Sequence, residues 1–214
     1  MKEEIAKIQG SDGPTAVFVA GKNNGKISLK HRIQRFINRT RRAHIEETIK
    51  ADAHTLDEVC EYIVSVLGYK EIAPEQTEYQ EEYNELRASY ILQYKPELLG
   101  NLAYIPDLTE HTEEAITEYL EKMKLRQELA KGISKDVFDI DFHKFVKQNG
   151  DNEAHFIIEK SRNYIGGGAS GNTKTVRRHN CEFKQVYRYY GVSQDDIDSK
   201  SERFNDVVRI LAMN

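Results

Sequence analysis

Residues 54–72, HTLDEVCEYIVSVLGYKEI, constrain the fold more sharply than any other stretch of the chain. Thr55 and Glu58 stand three apart, as a capping box requires, so that each side chain can take up a backbone amide at a helix start. Val59, Ile63, Val66 and Leu67 then recur at spacings of three and four, and Gly68 follows where a left-handed C-cap is wanted. The segment predicts an amphipathic helix with one face in a core. Similar caps and spacings recur along the chain, which predicts a mainly α, multi-helix soluble protein of about eight helices.

Ser28 caps a helix carrying Leu29, Ile33, Phe36, Ile37, Ile45 and Ile49, running to about residue 50. After Pro74 an acidic helix with Tyr79, Tyr83, Leu86, Tyr90 and Tyr94 stops ahead of Pro96, because proline disfavours helix in the residue before it. Thr109 or Thr112 opens a helix with Ile116, Leu120, Met123 and Leu129, ending at Gly132. Ser134 opens another with Phe138, Phe142, Phe145 and Val146, ending near Gly150, and residues 152–165 read as a further helix that stops against Gly166. Gly191 separates the last two helices. The expected β element is small: a hairpin over residues 4–21, in which EIAKIQ and TAVFVAG are joined over Ser11–Pro14. The expected domains are residues 1–100, an N-terminal β-hairpin plus helical lobe, and 105–214, a C-terminal helical lobe. The joint falls in KPELLGNLAYIPDLT, with one continuous domain as the alternative.

That opening segment also carries a resemblance. Gly10, Asp12, Gly13, Pro14 and Thr15 match the G-x-D-G-P-T segment of the β subunits of sodium-pumping decarboxylases. In that family the segment lies in a membrane domain. Here the resemblance implies a soluble accessory of such a complex, while Asp and Gly in the turn, with Pro fixing φ, account for the same residues as a hairpin.

Function classes are bounded by charge and by missing signatures. Charged residues make up 31% of the chain and the net charge is -4, which excludes a generally basic nucleic-acid binder and leaves local patches to be weighed. The two cysteines, Cys60 and Cys181, lack the paired spacing of a zinc or redox site. No apolar run approaches the roughly 18 residues of a membrane span. The expectation is a cytoplasmic protein with reduced thiols, neither secreted nor membrane-inserted. The seven histidines are scattered, so no metal or cofactor is expected, and no complete catalytic signature is present.

Three surfaces remain. From Lys22 to His44 the chain carries Lys22, Lys26, Lys30, Arg32, Arg35, Arg39, Arg41 and Arg42 with no acid between them. Such a run suits phosphate contact, or else pairs with the acidic stretches that follow. GGGASGNTKT, residues 166–175, precedes a helix start; Gly171, Thr173, Lys174, Arg177 and Arg178 make an anion-binding candidate, although the lysine stands two places later than a phosphate loop requires. Val186, Gly191, Val192, Ser193 and Ile197 resemble a helix-turn-helix, but Asp195, Asp196, Asp198 and Glu202 would face the phosphates. His179 and Cys181, beside the glycine-rich stretch, form a weaker pair. The expected function is therefore a non-enzymatic binding or regulatory protein whose basic helix docks on nucleic acid or another acidic partner, a protein among them. The alternatives are an enzyme or binding protein for a phosphorylated or nucleotide-like ligand at residues 166–175, and the decarboxylase accessory.

Overall fold

A computed structural model describes residues 29–106, 108 and 112–213, with side chains from Arg32 onward. In chain order the elements are α1 (Leu29–Thr48), α2 (Leu56–Ser65), β1 (Lys70–Glu71), α3 (Thr77–Tyr94), a 3-10 segment (Pro96–Leu102), α4 (Glu113–Gly132), β2 (Phe142–Asn149), β3 (Asn152–Glu159), β4 (Tyr164–Ser170), α5 (Thr173–Tyr190), α6 (Gln194–Ser199) and α7 (Glu202–Ala212). None of the described helices is long and apolar enough to cross a membrane. The described residues form two compact units: one holds residues 73–106, 108 and 112–142, the other residues 29–72 with 143–213.

In the first unit α3, the 3-10 segment and α4 share a small core of Ala88, Ile91, Leu99 and Ala130. Thr112 caps α4 by accepting the Ala115 amide, as its sequence position suggests. Arg87 is buried and donates to the Phe138 and Lys131 carbonyls, both at 3.1 Å, which fixes the chain that follows α4 against α3.

The second unit is an antiparallel sheet, in the order β1-β2-β3-β4, with helices packed on it. This sheet overturns part of the sequence reading. Three of its four strands lie in the carboxy-terminal half, and residues 142–149 and 152–159 are strands where helices were expected. The expected amino-terminal hairpin, residues 4–21, lies outside the described residues.

The physical reason is visible along β3. Ala154, Phe156 and Ile158 are buried at a spacing of two, and His155 and Ile157 between them are less so. Phenylalanine and isoleucine fit a pleated surface better than a helix. Gly150 and Asp151 make the two-residue turn between β2 and β3, a sequence of the Asn-Gly kind that favours hairpins. The glycines of β4 pair with β3, Gly168 opposite His155, Gly167 opposite Phe156 and Gly166 opposite Ile157. A Cβ on Gly167 would stand 2.5 Å from the His155 carbonyl oxygen and 3.4 Å from the His179 ring, so a bare backbone there lets α5 and β3 close up.

Helix α2 forms as its capping box predicts: Thr55 Oγ1 accepts the Glu58 amide at 3.2 Å, and Glu58 Oε2 accepts the Thr55 amide at 2.7 Å. Leu56, Val59 and Ile63 are buried with Phe156, Ile158, Val186, Phe204 and Val207 in the main core. Val66 departs from its expected core position and is 63% exposed, because the helix ends at Ser65 and Val66 lies past its last turn.

Candidate functional site

Helix α1 is held at its carboxy-terminal end. Ile45 and Ile49 pack against the main core, Arg42 donates to Asn205 Oδ1 at 2.9 Å, and the helix runs beside α7. From Arg32 to His44 every residue is exposed. The apolar residues that the sequence assigned to a helical face, Ile33, Phe36 and Ile37, stand out from the protein, Phe36 at 71% exposure.

The basic residues of α1 divide accordingly. Arg42 is paired with Glu46 at 2.8 Å. Arg32, Arg35, Arg39 and Arg41 take part in no ion pair among the described residues. Lys30 lies in the first turn of α1, and Lys26 lies outside the described residues. Neither the helix dipole nor neighbouring charges explain this arrangement. The first turn holds no acid and carries Lys30 and Arg32 where the dipole is positive, and Glu46 and Glu47 sit in the last turn where it is negative. Arginines three and four apart also repel one another. The charge order of α1 therefore opposes its own folding, and an external anion would relieve it.

At the second candidate the structure brings Gly171, Thr173, Lys174, Arg177 and Arg178 to the start of α5, but uses the helix end internally. Asn172 caps α5, its Oδ1 accepting the Thr175 amide at 2.9 Å, and the Asn172 amide donates to Asn152 Oδ1 at 2.8 Å. Arg178 turns inward along the helix to Glu182 at 2.9 Å. Lys174 and Arg177 remain exposed. His179 and Cys181 do not converge, since His179 is buried and Cys181 exposed. In the helix-turn-helix-like stretch, α6 is only six residues long and Tyr187 is buried, donating to the Ile165 carbonyl at 3.1 Å.

A polar cluster that sequence reasoning missed lies under α5. Glu182 is 8% exposed and its two oxygens are both occupied: Oε2 accepts from Tyr69 at 2.6 Å, and Oε1 from Arg178 at 2.9 Å and Lys147 at 3.2 Å. Tyr69 Oη also stands 3.2 Å from His179 Nδ1, and Lys147 reaches the Leu67 carbonyl at 2.7 Å. Burial, followed by the bond to Glu182, raises the Tyr69 hydroxyl well above its ordinary value, so it stays protonated and donates. Burial alone would raise the Glu182 carboxyl, but the bonds from Tyr69, Arg178 and Lys147 outweigh it and hold the group low. With every carboxylate oxygen engaged inside the fold, the cluster fastens β2, α5 and the end of α2 together and offers no free base. Arg178 and Glu182 are legible as a helical i,i+4 pair; Tyr69 and Lys147 come from distant segments and carry no sequence mark.

His179 gives this cluster a pH dependence. Burial, with a smaller contribution from His155 and against the pull of Glu182, lowers the imidazole from 6.5 to about 4. The folded state thus binds its proton less readily than the unfolded state, and the stability from neutral His179 is complete above pH 6.5 and falls as pH drops toward 4. Between pH 7 and pH 5 the loss should be about 2 kcal/mol. Urea unfolding at both values checks it: His179→Asn should flatten that part of the slope, and an unchanged slope would show that His179 does not set it.

Among the described residues no group of three or more His, Cys, Asp or Glu side chains is arranged to hold a metal ion. The chain matches no protein-family model, no curated protein and no solved structure.

Proposed function

We propose that this chain is a non-enzymatic binding protein that docks on an acidic partner through helix α1. The observation that carries the reading is the set of exposed arginines, Arg32, Arg35, Arg39 and Arg41, which have no ion pair among the described residues and stand on a helix whose terminal charges oppose its own stability. Among the described residues the acidic stretches that follow α1 in sequence engage it through Glu46 with Arg42 and not through these four arginines. Arg35 and Arg39 lie midway along the charged run, and Arg32 and Arg41 extend it toward either end of the helix.

The test is the salt dependence of binding to a generic polyanion, with a DNA duplex as the probe. Four phosphate contacts give a log-log slope of about -3.6, and Arg35→Glu with Arg39→Glu should reduce its magnitude to about 1.8 or abolish binding at low salt. Polyanion binding that is absent at low salt, or unaffected by the double substitution, would remove α1 as the docking surface.

A further inference from the structure

The exposed face of α1 has a centre as well as a charge. Ile33, Phe36 and Ile37 are 51%, 71% and 36% exposed and form one stripe, at i, i+3 and i+4, on the side away from Ile45 and Ile49. Arginines border the stripe on both sides. Arg32 and Arg39 lie four before and three after Phe36 on one border, with Arg35 beyond them, and Arg41 lies four after Ile37 on the other. A partner must therefore accept an apolar strip in its middle and present negative charge along both edges.

A nucleic-acid groove supplies the edges and fails the middle. Base edges are hydrogen-bonding groups, and three apolar side chains pressed against them would strip their water without replacing it. A second copy of α1 fails at the edges, where arginine would meet arginine. An anionic lipid surface meets both demands: the stripe enters the acyl boundary and the flanking arginines reach the negative headgroups, in the manner of helices that lie in the interface without spanning it.

We propose that α1 is a peripheral membrane-docking element that seats Ile33, Phe36 and Ile37 at the acyl boundary of an anionic bilayer, with Arg32, Arg39 and Arg41 on its headgroups. The proposal rests on α1 as the docking surface and names its partner.

The chain has no tryptophan, so Phe36→Trp places a single fluorescent reporter at the middle of the stripe. With the full chain and phosphatidylserine-containing vesicles, its emission should shift to the blue, and phosphatidylcholine vesicles should leave it unchanged. Flotation should show binding weakened about thirty-fold by Arg32→Gln with Arg39→Gln, and at least about ten-fold by Phe36→Ser. All these side chains are exposed, and circular dichroism confirms that each variant is folded. Binding to a DNA duplex but not to either vesicle, an emission that does not move on vesicle binding, or full vesicle binding by Phe36→Ser would overturn the lipid assignment while leaving α1 a polyanion-binding surface. Salt-sensitive self-association without vesicle binding would replace the bilayer with a second copy. Failure to bind either vesicles or DNA would remove both readings together.

Discussion

Gly191→Ala is expected to destabilise the second unit by about 4 kcal/mol or more. Gly191 ends α5 with φ +56° and ψ -162°, a backbone conformation that is essentially restricted to glycine. A Cβ built there would fall 1.8 Å from the Asp52 carbonyl oxygen and 2.9 Å from its carbon, so main chain would have to move. That main chain is tied down on both sides. The Asp52 amide donates to the Val192 carbonyl at 2.9 Å and the His54 amide to the Tyr190 carbonyl at 3.0 Å. Arg203 clasps the same corner, donating to the Gly191 and His54 carbonyls at 2.8 Å each and also to that of Tyr190, with its guanidinium over the Tyr190 ring. Relief of the clash breaks several of these bonds at once. Urea unfolding compared with Gly132→Ala supplies the control, since a Cβ at Gly132 meets nothing within 4 Å and should change stability by less than about 1 kcal/mol. Equal midpoints for the two variants would show that the corner yields freely.

Gly191 itself was legible as a break between helices, yet nothing local to it announced Asp52, which is brought there only by the fold. The same distinction runs through the molecule. Helices α1 to α5 were readable because their signals are local: Thr55 with Glu58, proline beyond Tyr94, a threonine at 112 to open α4, and for α5 a glycine-rich stretch before it and Gly191 after it. The sheet was not, because Phe142 and Phe145 satisfy a helical spacing as readily as they begin a strand, and only their pairing partners decide between the two. Gly150 and the run Gly166–Gly168 were the discriminating residues, a hairpin turn and an edge stripped of side chains beneath α5. Farther on, the single helix expected after Gly191 divides at Lys200, which takes a left-handed conformation, and Ser201 caps the final turn-maker α7. The basic face of α1 was visible because its charges follow one another in sequence. What the sequence hid was that Arg32, Arg35, Arg39 and Arg41 take no ion-pair partner among the described residues, the nearby acids Glu46, Asp57 and Glu58 turning to Arg42, Lys160 and Thr55 instead.

Removing the Glu182 side chain should cost about 3 kcal/mol, more than removing any one of its partners. Glu182→Ala leaves the Tyr69 hydroxyl, in a residue only 1% exposed, with the His179 ring as its remaining partner, and leaves Lys147 with the Leu67 carbonyl and the face of the Tyr69 ring but no counter-charge from Glu182. Arg178 loses least, because its side chain is 65% exposed and water can take the place of the carboxylate. Tyr69→Phe removes one donor and leaves Glu182 with Lys147 and Arg178, so its expected cost is smaller, about 1.5 kcal/mol. Because the two groups share a hydrogen bond, the double variant should fall short of the sum by about 1 kcal/mol, which a double-mutant cycle in urea measures. Glu182→Gln separates charge from hydrogen bonding. It keeps an acceptor for Tyr69 but surrenders the charge that Lys147 and Arg178 share, and should fall between wild type and Glu182→Ala. Protonation of Glu182 in acid does the same, and its stabilising effect is lost as pH falls below the ordinary carboxyl range, under the window set by His179. A cost below about 1 kcal/mol for Glu182→Ala, with additive behaviour alongside Tyr69→Phe, would show that the cluster does not fasten the sheet to α5. Its buried carboxylate would then have to be considered for chemistry instead.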